Sequence, residues 1–159
     1  MTEQMLRAAM EAHGDTVYRL ALCRLQNTAD AEDVYQDVFL RLLEQGTPDW
    51  DSQRTKAWLI RATLNRCADV GRLRARRGTI PLERLTEAAG PPEDTAAELW
   101  AAVGSLPVKF RTVVHLHYAE GYSTEEIAAM LKLPAVTVRT RLRRARLKLK
   151  ALLGGDEDV

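Results

Sequence analysis

Apolar residues recur three and four positions apart along most of the 159-residue chain, and alternating β-branched runs do not occur. That spacing predicts helices rather than strands. From Leu6 to Leu25 the apolar positions include Met10, Val17, Leu20, Ala21 and Leu25. A second run, DAEDVYQDVFLRLLEQ, places Val34, Val38 and Leu42 on one stripe, flanked by Ala31, Tyr35 and Leu43. Asn27 or Thr28 can cap this helix, and Gly46 and Pro48 stop it. The segment GTPDWDSQRT reads as a loop carrying Trp50. Thr55 is then a candidate cap for a third helix, KAWLIRATLNRCADVGRLRARR. Its Trp58, Leu59, Ala62 and Val70 are apolar, while Arg61, Asn65, Asp69 and Arg72 are polar.

The pattern fails after Gly78. TIPLERLTEAAGPPED has no sustained period, and Gly90-Pro91-Pro92 breaks any helix. Helical spacing resumes in DTAAELWAAVGSL and again in VKFRTVVHLHYAEG, which follows Leu106-Pro107. Ser123 to Leu131 forms a short helix, Lys132-Leu133-Pro134 a break, and Ala135 to Leu153 a last helix. The predicted fold is all-α: two small helical domains over residues 1–77 and 96–153, joined by a linker over 78–95 and followed by an acidic tail over 154–159.

Composition narrows the class. A 46% hydrophobic, 28% charged chain is typical of a soluble globular protein. No apolar window is long enough to span a bilayer, and the first residues do not read as a signal peptide. Cys23 and Cys67 stand far apart, outside any C-x-x-C pattern, so reduced thiols in the cytoplasm are expected and zinc is not. The net charge of +1 conceals an alternation: −5 over residues 1–50, +6 over 51–80, −3 over 81–110 and +3 over 111–159. Two basic segments suit a polyanion touched at two places, although solvated helix faces account for block charge equally well.

The last basic segment is more specific. YSTEEIAAMLKLPAVTVRTRLRRARLKLK has the shape of a helix-turn-helix. Ser123 and Glu126 have capping-box spacing. Ile127, Ala128 and Leu131 face the core, Leu133 plugs the turn, and Pro134 suits a helix start. Val138, Leu142, Ala145, Leu149 and Leu152 form the seam of the last helix. Thr137, Arg139, Thr140, Arg143 and Arg144 point the other way, near its N-terminal half, where residues of a recognition helix meet base edges in a major groove. Arg146, Lys148 and Lys150 lie further along and suit phosphates. A basic amphipathic helix on a membrane or an acidic partner is the alternative, but it needs neither the turn nor the capped helix before it.

Taken together, DAEDVYQDVFLRLLEQ, WLIRATLNRCADVGRLRARR and LPVKFRTVVHLHYAEGYSTEEIAAMLKLPAVTVRTRLRRARLKL resemble, in that order, bacterial RNA polymerase sigma factors of the extracytoplasmic-function group. The resemblance covers nearly the whole chain. It implies a transcription initiation factor that binds core RNA polymerase and directs it to promoter DNA. The first stretch then docks on a coiled coil of the largest polymerase subunit, with Asp33, Gln36, Asp37 and Arg41 free for that partner. The second opens and captures the minus-10 strand through Trp50, Arg61, Asn65, Arg66, Asp69 and Arg72, in keeping with a basic groove and aromatic faces that hold unpaired bases. Asn65 matches the family's Asn beside the captured base. Arg72, Arg74, Arg76 and Arg77 are expected on phosphates. The third reads the minus-35 duplex through Thr137, Arg139, Thr140, Arg143 and Arg144. The family often has an anti-sigma factor as a further partner, and a monomer is expected when free.

Two positions depart from the family pattern. Lys132 stands where many members have Gly or Asp in the turn, where a left-handed backbone would be costly. Arg143 stands where some members have an aromatic residue or His, so base preference does not carry over. No enzyme and no cofactor emerge. His115 and His117 are two apart on a predicted helix, a poor metal pair, and His13 reads as a surface or cap residue. A stand-alone DNA-binding regulator and a helical adaptor remain the rival readings of the residues themselves.

Overall fold

The computed structural model describes residues 2–46, 49–77 and 94–154. The predicted linker from Gly78 to Glu93, Pro48 and the tail after Gly154 lie outside the described residues, as does the side chain of Arg77. Among the described residues there is no strand, and the chain divides into two compact units, Met1–Ala88 and Ala89–Val159.

Three helices build the first unit: α1 (Glu3–Leu25), α2 (Thr28–Gln45) and α3 (Ser52–Arg77). Each packs against both others. Leu20 of α1, Leu42 of α2 and Leu59 of α3 are fully buried, as the apolar stripes require. Gly14 permits close approach of α2: a Cβ there would lie 3.0 Å from the Tyr35 hydroxyl. Asn27 is the N-cap of α2, its side chain accepting from the Asp30 N–H at 2.9 Å. Gly46 ends the helix at φ 61°, a conformation glycine adopts without steric cost.

The start of α3 differs from expectation. Asp51 accepts from the Arg54 N–H at 2.8 Å, and the Thr55 hydroxyl donates to the Asp51 carbonyl at 3.0 Å. The helix therefore begins at Ser52, and Thr55 lies inside it rather than capping it. His13 also differs. It is 7% exposed, its Nε2 sits 3.2 Å from Ser52 Oγ, and burial with the nearby Lys56 lowers its pKa. It joins α1 to the start of α3 instead of sitting on the surface.

The second unit comprises α4 (Asp94–Gly104), α5 (Val108–Val114), a π-helical turn (His115–Ala119), α6 (Thr124–Leu131) and α7 (Ala135–Leu152). Helix α4 starts within the span assigned to the linker. Val113, Leu116, Ile127, Val138 and Ala145 form the centre of its core. Leu149 is only partly buried and Leu152 is exposed, so the predicted seam of α7 closes at Ala145.

Candidate nucleic-acid interface

The helix-turn-helix is built from α6 and α7. Ser123 accepts from the Glu126 N–H at 3.1 Å, and Glu126 accepts from the Ser123 N–H at 2.8 Å, which completes the capping box. Two donors left over at the helix start are thereby satisfied. The turn is closed by the Leu133 N–H donating to Ala128 at 3.0 Å. Lys132 adopts φ 60°, ψ 48°, the left-handed region that costs a side-chain-bearing residue roughly 1–2 kcal/mol. Glycine removes that cost and returns part of it as unfolded-chain entropy. Lys132→Gly is therefore expected to stabilise the chain by about 0.5–1 kcal/mol, read as a higher midpoint in urea unfolding; a lower midpoint would mean the turn is not strained.

Beyond this turn, the buried side of α7 carries Val138, Leu142 and Ala145. Arg139, Arg143 and Arg144 are exposed, and Thr137 and Thr140 partly so. The five predicted residues thus share the outward half of one helix. Val136 and Leu147, 59% and 56% exposed, share that half as well; the phase of the seam puts them there, although nothing polar marks them in the sequence. Glu125 of α6 borders the same face, a neighbour that the sequence does not signal. Its Oε2 lies 3.7 Å from Arg139 Nη1, and both side chains are more than half exposed, so water screens the pair.

In the first unit, α3 presents Arg61, Asn65, Asp69 and Arg72 to solvent. Arg66 is half-buried and spoken for. Its Nε lies 2.8 Å from Asp37 of α2, and its Nη1 lies 4.0 Å from Asp69, which also pairs with Arg72. The Arg66 Nε is buried without a well-aligned hydrogen bond, so its attraction to Asp37 is ionic. Trp50 and Trp58 stand 6.1 Å apart with rings tilted 51°, both partly packed on the core. The Arg54 guanidinium covers the Trp50 ring at 4.7 Å. Arg54 went unnoticed in the sequence because it fell in the predicted loop. Arg74, expected on phosphates, is mostly buried and has its partners within the chain. It donates to the Leu25 carbonyl at 3.2 Å and pairs with Asp30, tying α3 to the α1–α2 corner.

On α2, Asp33, Gln36 and Arg41 are exposed. Asp37 is not free as expected: besides Arg66 it lies 3.7 Å from Arg41. Leu40, 55% exposed, continues the face formed by Asp33, Gln36 and Asp37 one turn further on. The thiols are plain. Cys23 and Cys67 form no disulfide, and burial pushes Cys67 up to about 12, so it carries no thiolate at neutral pH. His115 and His117 turn to Glu120 at 3.1 Å and the Tyr122 carbonyl at 2.8 Å. No helix among the described residues is long and apolar enough to cross a membrane.

Two family models match the chain: Sigma-70 region 2 over residues 9–79 and Sigma-70, region 4 over residues 96–149. The chain is 38% identical over 154 residues to the ECF RNA polymerase sigma factor SigE of Mycolicibacterium smegmatis, covering 89% of this chain and 58% of that protein. Against the ECF RNA polymerase sigma factor SigM of Mycobacterium tuberculosis it is 33% identical over 145 residues, covering 89% of this chain and 74% of that one. It thus spans less than two thirds of the first relative's length. Among solved structures, the fold is similar to that of the sigma factor RpoE in complex with the anti-sigma factor NepR from Bartonella quintana, with a TM-score of 0.74, 23% identity and 98% of both chains covered. CnrH in complex with the cytosolic domain of CnrY follows, with a TM-score of 0.66, 29% identity and coverage of 98% of this chain and 92% of that one.

Proposed function

The chain belongs to the sigma-70 family, among its extracytoplasmic-function factors, and from that membership we propose that it binds core RNA polymerase and directs it to particular promoters. Residues 1–77 act as region 2, residues 96–153 as region 4, and residues 78–95 tether them. The observation that carries this reading is the pairing of two units in one chain: a capped helix-turn-helix with Thr137, Arg139, Thr140, Arg143 and Arg144 turned outward, and a three-helix unit whose α2 and α3 offer two different polar faces.

Each face has its own task. Asp33, Gln36, Asp37 and Arg41 on α2 dock on polymerase. Arg61, Asn65, Arg66, Asp69 and Arg72 on α3, with Trp50 beside its start, hold the opened minus-10 strand. Arg66 can turn from Asp37 to the strand, since a guanidinium matches phosphate as well as carboxylate. The outward residues of α7 read the minus-35 duplex, with arginines suited to guanine and threonines to phosphate or a thymine methyl. Two weak readers on a tether bind well only when one partner holds both, so the free chain binds DNA poorly and the polymerase supplies the geometry. Catalysis belongs to the polymerase, and the site of action is the cytoplasm. An anti-sigma factor that covers these faces is a further partner, a reading supported by the complexes of RpoE with NepR and of CnrH with CnrY.

Run-off transcription with purified core polymerase on a fragmented genomic library tests this reading. Defined start sites are expected only when the chain is added. Specific retention of duplex fragments without any new start site would favour a stand-alone regulator instead.

A further inference from the structure

Between α5 and α6 the chain makes a π-helical turn over His115–Ala119. Such turns are rare and concentrate at functional places. This one is heavily fastened. The Glu120 N–H donates to the His115 carbonyl at 3.1 Å, and the Tyr122 N–H to the Leu116 carbonyl at 3.0 Å. The almost fully buried side chains of His115 and Glu120 meet at 3.1 Å, and His117 is held by the Tyr122 carbonyl at 2.8 Å. The one large side chain the turn leaves outside is Tyr118, 55% exposed, its ring standing edge-on to His117 at 4.7 Å. Its hydroxyl accepts from Arg146 Nη1 of α7 at 3.0 Å, across 28 residues of sequence.

Arg146 lies two turns beyond Arg139, on the same side of α7. Arg139 faces Glu125 of α6, so α6 and the π-helical turn border one edge of the recognition helix. In a docked helix-turn-helix the edges of that helix face the phosphate backbones, and the preceding helix crosses one of them. We propose that Tyr118 and Arg146 form a two-residue phosphate clamp at that edge, in which Tyr118 positions Arg146 and also binds the phosphate. The chemistry is complementary. A tyrosine oxygen that accepts from a guanidinium keeps its own proton to donate, and the guanidinium keeps further N–H groups. Both donors can then converge on one phosphate group. This inference rests on the reading of α7 as the minus-35 reader.

The test uses polymerase reconstituted with the full chain and promoter duplexes found by run-off, with binding measured across a salt series. Arg146→Ala should weaken every promoter alike and flatten the log–log salt slope by about one. Tyr118→Phe should weaken binding roughly two- to tenfold, again without altering base preference. The double variant should lose less than the sum of the two single losses, because part of the tyrosine's effect runs through Arg146. Additive losses, an unchanged salt slope in Arg146→Ala, or a changed base preference in Tyr118→Phe would each overturn the clamp. A parent chain that directs polymerase to no promoter overturns the functional reading and the clamp with it; a selective parent whose Tyr118→Phe variant binds unchanged overturns the clamp alone.

Discussion

Replacing Arg139 and Arg144 together by alanine is expected to abolish promoter selection while leaving association with core polymerase at the parent level. Each arginine can make a bidentate contact to guanine worth ~1–3 kcal/mol, so the pair supplies roughly 2 kcal/mol or more of discrimination. That is about thirtyfold at the least, enough to submerge a specific start site in nonspecific initiation. The fold should not suffer. Both side chains lie on the exposed half of α7, and the Arg139 contact to Glu125 at 3.7 Å is solvent-screened. The readouts are run-off transcription from the promoters defined with the parent chain and a pull-down of core polymerase. Unchanged start sites would move base reading away from these two arginines, towards Arg143 or the exposed Val136. Loss of polymerase association would place α7 on the wrong partner.

Local signals in the sequence survived well because they need only neighbours. The Ser123–Glu126 box, the Asn27 cap and the buried Val138–Leu142–Ala145 seam are each settled within a few residues. What the sequence concealed depends on contacts between distant segments. Arg74 sits in the run RLRARR and looks like one more phosphate ligand, yet it is two positions from both Arg72 and Arg76 and so turns to another side of α3. Its partner Asp30 is 44 residues away. The tie of Asp37 to Arg66 is hidden for the same reason. The π-helical turn is concealed for a different reason: VKFRTVVHLHYAEG keeps helical spacing, and the contact of Glu120 with His115 five residues earlier, which holds the extra residue, leaves no mark on that spacing. The start of α3 is likewise hidden because its apolar period begins near Trp58, several residues after Asp51 has capped the helix.

Asp37→Arg should weaken association with core polymerase by tenfold or more. On the proposed docking face it replaces the central carboxylate by a cation, and a like charge set against a complementary partner costs several kcal/mol. Within the chain the same change puts three guanidinium groups together, since Arg41 and Arg66 both approach Asp37. A loss of binding could therefore come from a missing docking contact or from a disturbed α2–α3 contact. The charge swap separates them. Asp37→Arg combined with Arg66→Asp rebuilds an ion pair between the helices with its polarity reversed. The Asp37–Arg66 pair is about one-third exposed on each side, so its own worth is no more than about 1 kcal/mol, and the swap should leave the unfolding midpoint near that of the parent. If polymerase recognises a carboxylate on α2, the swapped chain remains as poor a binder as Asp37→Arg alone. If binding returns with the swap, Asp37 serves to hold Arg66 and α3 in place, and the docking face must be drawn around Asp33, Gln36 and Leu40 instead.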